Sequence, residues 1–226
     1  MSKRLPGQLA MWFLSFTVVV CCGVSASAQK AATITFTLDF PGSVPEHYRL
    51  SVDSTGHASY TSGGTGSGGS DSDQPFHYDF TISGSNRERM FDLAARARYF
   101  AGDINYAKHA VASTGTKTLS YKDEQRSTHA TYNYTTNQPV QQLTTIFQNI
   151  SATLEFAQRL QFEYKYQKLA LEEELKRMEE AAKQNGLDEV QAAAPILKQI
   201  MADSSVMNVT RARAERLLAK AGNNSR

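Results

Sequence analysis

The spacing of apolar residues changes once along this chain, and that change constrains the fold more than any other sequence feature. Before about residue 136, apolar and polar residues alternate in short runs, as at Ile34 and Phe36, which is typical of strands with one buried face. From Pro139 onward apolar residues recur every three or four positions, and no proline or glycine interrupts the chain until Gly186. The sequence therefore predicts an α+β fold, with a β-rich module followed by a helical arm.

The β-rich module is predicted to span residues 29–136 in the order β-β-β-β-α-β-β. Short turns between consecutive strands imply a mainly antiparallel sheet with one helix packed on a face. Ser85 and Glu88 form a capping-box pattern that predicts the start of this helix, which continues to about Phe100. Residues 61–75 are rich in glycine, serine and aspartate, and this composition predicts a flexible loop.

The helical arm is predicted to span residues 137–226. Its apolar spacing favours one long helix over about 139–184, then shorter helices over about 187–202 and 209–221. At 1.5 Å per residue, the long helix would extend roughly 70 Å. A compact module of this size has a diameter of only about 33 Å, so the distal half of the helix would project beyond it.

The projecting half carries an apolar stripe that includes Leu171, Leu175 and Met178. Exposed stripes of this kind mark interfaces, so these residues form the candidate interaction surface. The expected arrangement is a C-terminal tail that folds back along the long helix as a helical hairpin. The alternative is a coiled coil, in which the long helix pairs with a second copy or with a protein partner.

Residues 1–28 have the features of an export signal. Two basic residues precede an apolar core of about 14 residues, which is shorter than the ~20 needed to span a bilayer. A small-x-small site predicts cleavage between Ala28 and Gln29, which would leave no transmembrane span. We therefore expect an exported protein, periplasmic or secreted, of bacterial origin.

Cleavage of this signal would change the chemistry open to the chain. Both cysteines, Cys21 and Cys22, lie in the signal, which excludes thiol nucleophiles and thiolate metal sites from the mature chain. Cleavage removes two of the 24 basic residues and none of the 22 acidic residues, so the mature chain has no net formal charge. Without a basic patch, a nucleic-acid partner is not expected.

An alternative prediction is a metal-dependent or hydrolytic enzyme, and it rests on three polar residues. His77 and Asp79 share the polar face of one predicted strand, and His57 lies on a neighbouring strand. No HxH, HExxH or GxSxG motif accompanies them, and solvated sheet positions account for them more simply. We therefore expect no catalytic, cofactor or metal site.

A further alternative is a small-ligand site on a tyrosine-rich face. Tyr121, Tyr132 and Tyr134 fall in the predicted hairpin that closes the module. Ordinary packing of the sheet under its helix explains these tyrosines more simply.

One segment of the module resembles small secreted bacterial domains of unknown function. The resemblance rests on the pattern Tyr48-x-Leu50-x-Val52-Asp53-x-x-Gly56-x-Ala58-x-Tyr60, on the strand from residue 76 and on the helix after it. It covers about a third of the chain and implies no activity. The sequence as a whole leads us to expect a non-enzymatic interaction or envelope-associated module, which makes contact through the arm or through an exposed sheet edge.

Overall fold

The computed structural model describes residues 31–63, 75–106, 108 and 111–224, and these residues form an α+β fold. The predicted export signal and most of the predicted loop lie outside these residues. The strands are β1 (Thr33–Asp39), β2 (His47–Asp53), β3 (His57–Ser62), β4 (Phe76–Thr81), β5 (Thr116–Lys122) and β6 (Ser127–Tyr132). The helices are α1 (Gly84–Arg96), α2 (Gln138–Tyr166), α3 (Leu171–Lys183), α4 (Ala194–Ala202) and α5 (Asn208–Asn224).

The six strands form one antiparallel sheet in the order β4-β3-β2-β1-β5-β6, which confirms the predicted antiparallel topology. Thr61 and Ser62 belong to β3, so the predicted loop over 61–75 began two residues too early. The inner face of the sheet is apolar, and α2 packs on it. At the centre of this contact, the ring of Phe36 stacks on the ring of Phe147 with 5.2 Å between centroids. The opposite face carries mainly hydroxyl, imidazole and charged side chains.

Helix α1 follows β4 as predicted, but its cap is a different serine. Ser83 is the N-cap, and its hydroxyl accepts a hydrogen bond from the main-chain N–H of Asn86. The prediction that Ser85 and Glu88 cap the helix was therefore wrong. The local sequence offers two serines with similar spacing, and a contact with the distant Glu189 selects Ser83.

The prediction of one helix over 139–184 was also wrong. Helix α2 ends at Tyr166 and α3 begins at Leu171, because the chain reverses between them. An unbroken helix would leave its distal apolar stripe in water, whereas the reversal buries that stripe against α2. Arg159 of α2 and Glu174 of α3 form an ion pair across this hairpin.

The remaining helices close a second apolar core around the distal half of α2, which confirms the predicted fold-back of the tail. Residues 190–193 form a short 3₁₀ turn, and Pro195 lies in the first turn of α4, where proline is tolerated. Helix α5 lies against α3, where Arg213 pairs with Glu172 at 2.8 Å and also with Glu179. Among the described helices, none combines the length and the apolarity needed to cross a membrane.

A buried carboxylate joins the helical arm to the sheet module. Glu189, only 3% exposed, precedes the 3₁₀ turn of the arm. It accepts hydrogen bonds from the main-chain N–H of Ser83 at 2.9 Å, from the hydroxyl of Ser83 at 2.6 Å and from the side-chain amide of Asn86 at 2.7 Å. A negative charge is favourable there because the N-terminus of α1 carries a partial positive charge.

We expect Glu189→Ala to lower the free energy of unfolding by roughly 2 kcal/mol, because it leaves the partly buried donors of Ser83 and Asn86 without their acceptor. Chemical denaturation followed by circular dichroism measures this change. Glu180→Ala, on the exposed side of α3, is the control and should change stability by less than about 0.5 kcal/mol. Equal effects of the two substitutions would contradict a structural role for the Glu189 carboxylate.

Candidate interaction surface

The predicted interaction surface on the arm is not exposed. Leu171, Leu175 and Met178 are fully buried in the second core, among residues of α2, α4 and α5. The prediction of a projecting apolar stripe was therefore wrong, because the chain covers the stripe itself. A contact surface has to be sought elsewhere on the described residues.

The sheet register brings together the three polar residues of the enzyme alternative. His77 Nε2 lies 3.2 Å from Asp79 Oδ2, and His57 Nε2 lies 4.0 Å from Asp79 Oδ1. All three side chains are more than half exposed, and a hydrogen bond from Ser59 helps to hold the pKa of Asp79 below its usual value. Within the described part of the chain, no group of three such side chains has the spacing of a metal site.

The three candidate tyrosines do not converge on one site. In the β5–β6 register, Tyr121 faces Thr128 at one end of the hairpin and Tyr132 faces Lys117 at the other. Tyr121 and Tyr132 are buried, and the hydroxyl of Tyr132 shares a hydrogen bond with Thr144 of α2, whereas Tyr134 is 42% exposed. This arrangement is that of ordinary packing between sheet and helix.

Strand β4 forms one edge of the sheet, and its hydrogen-bond phase determines which groups face outward. Ile82 donates its main-chain N–H to the Gly56 carbonyl at 2.9 Å, and this bond sets the phase of the β3–β4 ladder. In an antiparallel pair, hydrogen-bonded and non-hydrogen-bonded positions alternate. His77, Asp79 and Thr81 occupy the non-hydrogen-bonded positions, so their N–H and C=O groups point away from β3. We call these outward main-chain groups the β4 edge.

The inner side of β4 carries a row of three aromatic residues. Phe76, Tyr78 and Phe80 follow one another with ring centroids 6.1 and 6.2 Å apart, and all three are only partly buried. The hydroxyl of Tyr78 donates to the Ala192 carbonyl of the arm at 2.9 Å. An edge strand with aromatic side chains and without proline or lysine is a template for pairing with another strand.

The opposite edge of the sheet, β6, offers less apolar surface. Its inward side chains include the buried Ala130 and Tyr132, and the hydroxyl of Thr128 donates to the Tyr99 carbonyl at 2.5 Å. Just beyond the strand, Tyr106 donates its main-chain N–H to the Tyr134 carbonyl at 2.8 Å. Strand β4 is therefore the better candidate for a contact surface.

A buried polar cluster holds β3, the strand that pairs with β4, against α2. The Glu155 carboxylate accepts hydrogen bonds from the Tyr60 hydroxyl at 2.8 Å and from the Ser62 hydroxyl at 2.7 Å, and Tyr60 also contacts Ser151 at 3.0 Å. Burial, together with the nearby Glu155 charge, raises the pKa of Tyr60 well above its usual value. No local pattern indicates this cluster, because its members in β3 lie more than 90 residues along the chain from its members in α2.

Comparison with known proteins adds no functional assignment. No protein family matches the chain, and no curated protein is significantly similar to it.

We expect the buried tyrosines to resist ionisation in alkali. Burial raises the pKa of Tyr48, Tyr60 and Tyr132 far above the ordinary value of about 10. Their contribution to stability is complete below the unfolded-state pKa and is lost as the pH rises above it towards the folded-state values. Absorbance at 295 nm should therefore show a late phase that coincides with the loss of the circular dichroism signal.

The variant Tyr60→Phe identifies part of this late phase. It should reduce the late absorbance change while leaving the early, reversible change as it is in the unmodified chain. If every tyrosine ionises reversibly in one step before the chain unfolds, the polar cluster at Glu155 is not closed in solution.

Proposed function

We propose that this protein is an exported, non-enzymatic interaction module, which binds an extended polypeptide segment through the β4 edge. The observation that carries the proposal is the outward main-chain row of His77, Asp79 and Thr81, which no other described strand pairs with. Main-chain hydrogen bonds of an added strand supply affinity, and the side chains on its two faces supply specificity.

The two faces of β4 offer different chemistry to such a segment. On the inner face, the partly buried rings of Phe76, Tyr78 and Phe80 offer apolar contact. On the outer face, the exposed His77 and Asp79 offer a donor and a carboxylate. The same polar residues that suggested an enzyme therefore have a direct use in strand recognition, and no nucleophile or metal is needed for it.

Support for a rigid binding edge comes from the two buried carboxylates. Glu155 of α2 accepts a hydrogen bond from β3, and Glu189 of the arm accepts one from Ser83, which follows β4 by two residues. A preorganised edge loses little conformational entropy when a strand is added. Export is supported by the sequence of residues 1–28.

To test the proposal, the chain without its predicted signal is used as the target, and peptides that bind to it are selected from a displayed random library. We expect Asp79→Pro to weaken binding of the selected peptides by at least roughly tenfold, because proline removes an outward N–H without breaking a bond to β3. Isothermal titration calorimetry measures the affinity, and amide chemical shifts in NMR spectra report which strand responds.

His129→Pro is the matched control, since it removes an outward N–H from the opposite edge. The bond from the Asp123 N–H to the Arg126 carbonyl sets the phase of the β5–β6 ladder and directs His129 away from β5. This variant should bind the peptides as the unmodified chain does. Absence of any selected peptide, or equal losses in both variants, would overturn the proposal.

A further inference from the structure

We propose that the segment received by the β4 edge is β4 of a second copy of this chain, in an antiparallel register centred on Tyr78. This inference rests on the proposed use of the β4 edge and names its partner. It follows from the hydrogen-bond phase of the strand, from the order of its charges and from the positions of its aromatic residues.

The hydrogen-bond phase limits the registers that two β4 strands can adopt. Only His77, Asp79 and Thr81 have main-chain groups that point outward, so in an antiparallel pair these residues must lie opposite one another. The allowed registers are therefore centred on single residues of the strand, and those centred on His77, Tyr78 or Asp79 place His77 or Asp79 opposite itself or opposite the other. Each of them is symmetric about a two-fold axis, as required for a closed dimer of identical chains.

Charge selects one of these three registers. A centre at Asp79 places two carboxylates opposite each other, and a centre at His77 places two imidazoles opposite each other. A centre at Tyr78 places each His77 opposite the Asp79 of the second copy, twice across the axis. Opposite-charge and hydrogen-bonding pairs across strands are favourable, and like charges directly opposite are unfavourable.

The aromatic row fits the same register on the inner face. With Tyr78 at the centre, each Phe76 faces Phe80 of the second copy, and the two Tyr78 rings face each other. Facing aromatic pairs stabilise antiparallel strands, and here they would cover rings that are only partly buried in one copy. The five-residue run Phe76-His77-Tyr78-Asp79-Phe80 is thus complementary to itself when its direction is reversed.

The layering of the described sheet and helices is compatible with this pairing. A two-fold axis perpendicular to the sheet keeps the helical layers of both copies on one side and both polar faces on the other. Two six-stranded sheets would then join into one continuous sheet. A single pair of strands buries less surface than the ~1,600 Å² of a standard interface, so we expect a weak dimer.

A charge-exchange series tests the register. His77→Asp would place aspartates opposite each other twice and should raise the dimer Kd by at least roughly tenfold. The double variant His77→Asp/Asp79→Lys restores opposite charges across the axis and should recover most of that loss. Sedimentation equilibrium of the chain without its predicted signal, over a concentration series up to about 1 mM, measures each Kd.

Controls separate dimerisation from folding and from the other edge. His129→Asp makes the same substitution at an outward position of β6 and should leave the dimer unchanged. Thermal unfolding of each variant, measured at concentrations where the chain is monomeric, shows whether the fold is retained.

The outcomes separate this inference from the broader proposal. A chain that is monomeric at every concentration, or a dimer whose Kd is unaffected by His77→Asp, overturns the β4–β4 pairing. If peptides selected from the library still bind to the β4 edge in that case, the proposed function stands with a different partner. If neither dimer nor peptide binding depends on β4, both proposals fail.

Discussion

Helix α2 belongs to two apolar cores, and the rest of the structure depends on this double use. Its first half, from Val140 to Leu154, covers the inner face of the sheet, and its second half, around Leu160, receives the helices of the arm. The sheet has one apolar face, which must be buried. Helix α2 covers this face with its first half, and its second half extends past the sheet with further apolar residues that also need to be buried. The chain buries that stripe with its own C-terminal residues, so the arm is part of the compact fold.

The burial of the arm moves the search for a contact surface to the sheet. Covering one face of an antiparallel sheet does nothing for its edges, where main-chain groups of the outer strands still need partners. Here the two edges differ, because the residues around Tyr99 and Tyr106 approach β6, whereas β4 presents a partly buried aromatic row. The asymmetry between the edges therefore supports specific recognition at β4 rather than non-specific pairing at both edges of the sheet.

Local sequence patterns predicted most of the secondary structure, but they failed where contacts between distant residues determine how an element ends or is capped. Alternation, as at Ile34 and Phe36, predicted the strands, and the short turns between consecutive strands predicted an antiparallel sheet. The reversal after Tyr166 was not predicted, because the apolar spacing continues beyond it at Leu171 and Leu175. In the structure Lys168 binds Asp203 at 2.6 Å in the turn before α5, a contact that no local window contains.

The sequence predicted an exposed sheet edge as one possible contact surface, but it did not identify which strand forms that edge. His57, His77 and Asp79 were recognised as neighbours, but their side chains alone suggested chemistry rather than an edge. Strand order decides which strand has a free side, and it depends on pairings between residues far apart in the chain. Once β4 is known to be an edge, its alternating aromatic and polar residues predict a contact surface as well as a strand. The order of charges around Tyr78 matters only in that context, since a central strand with the same residues would already have both of its neighbours.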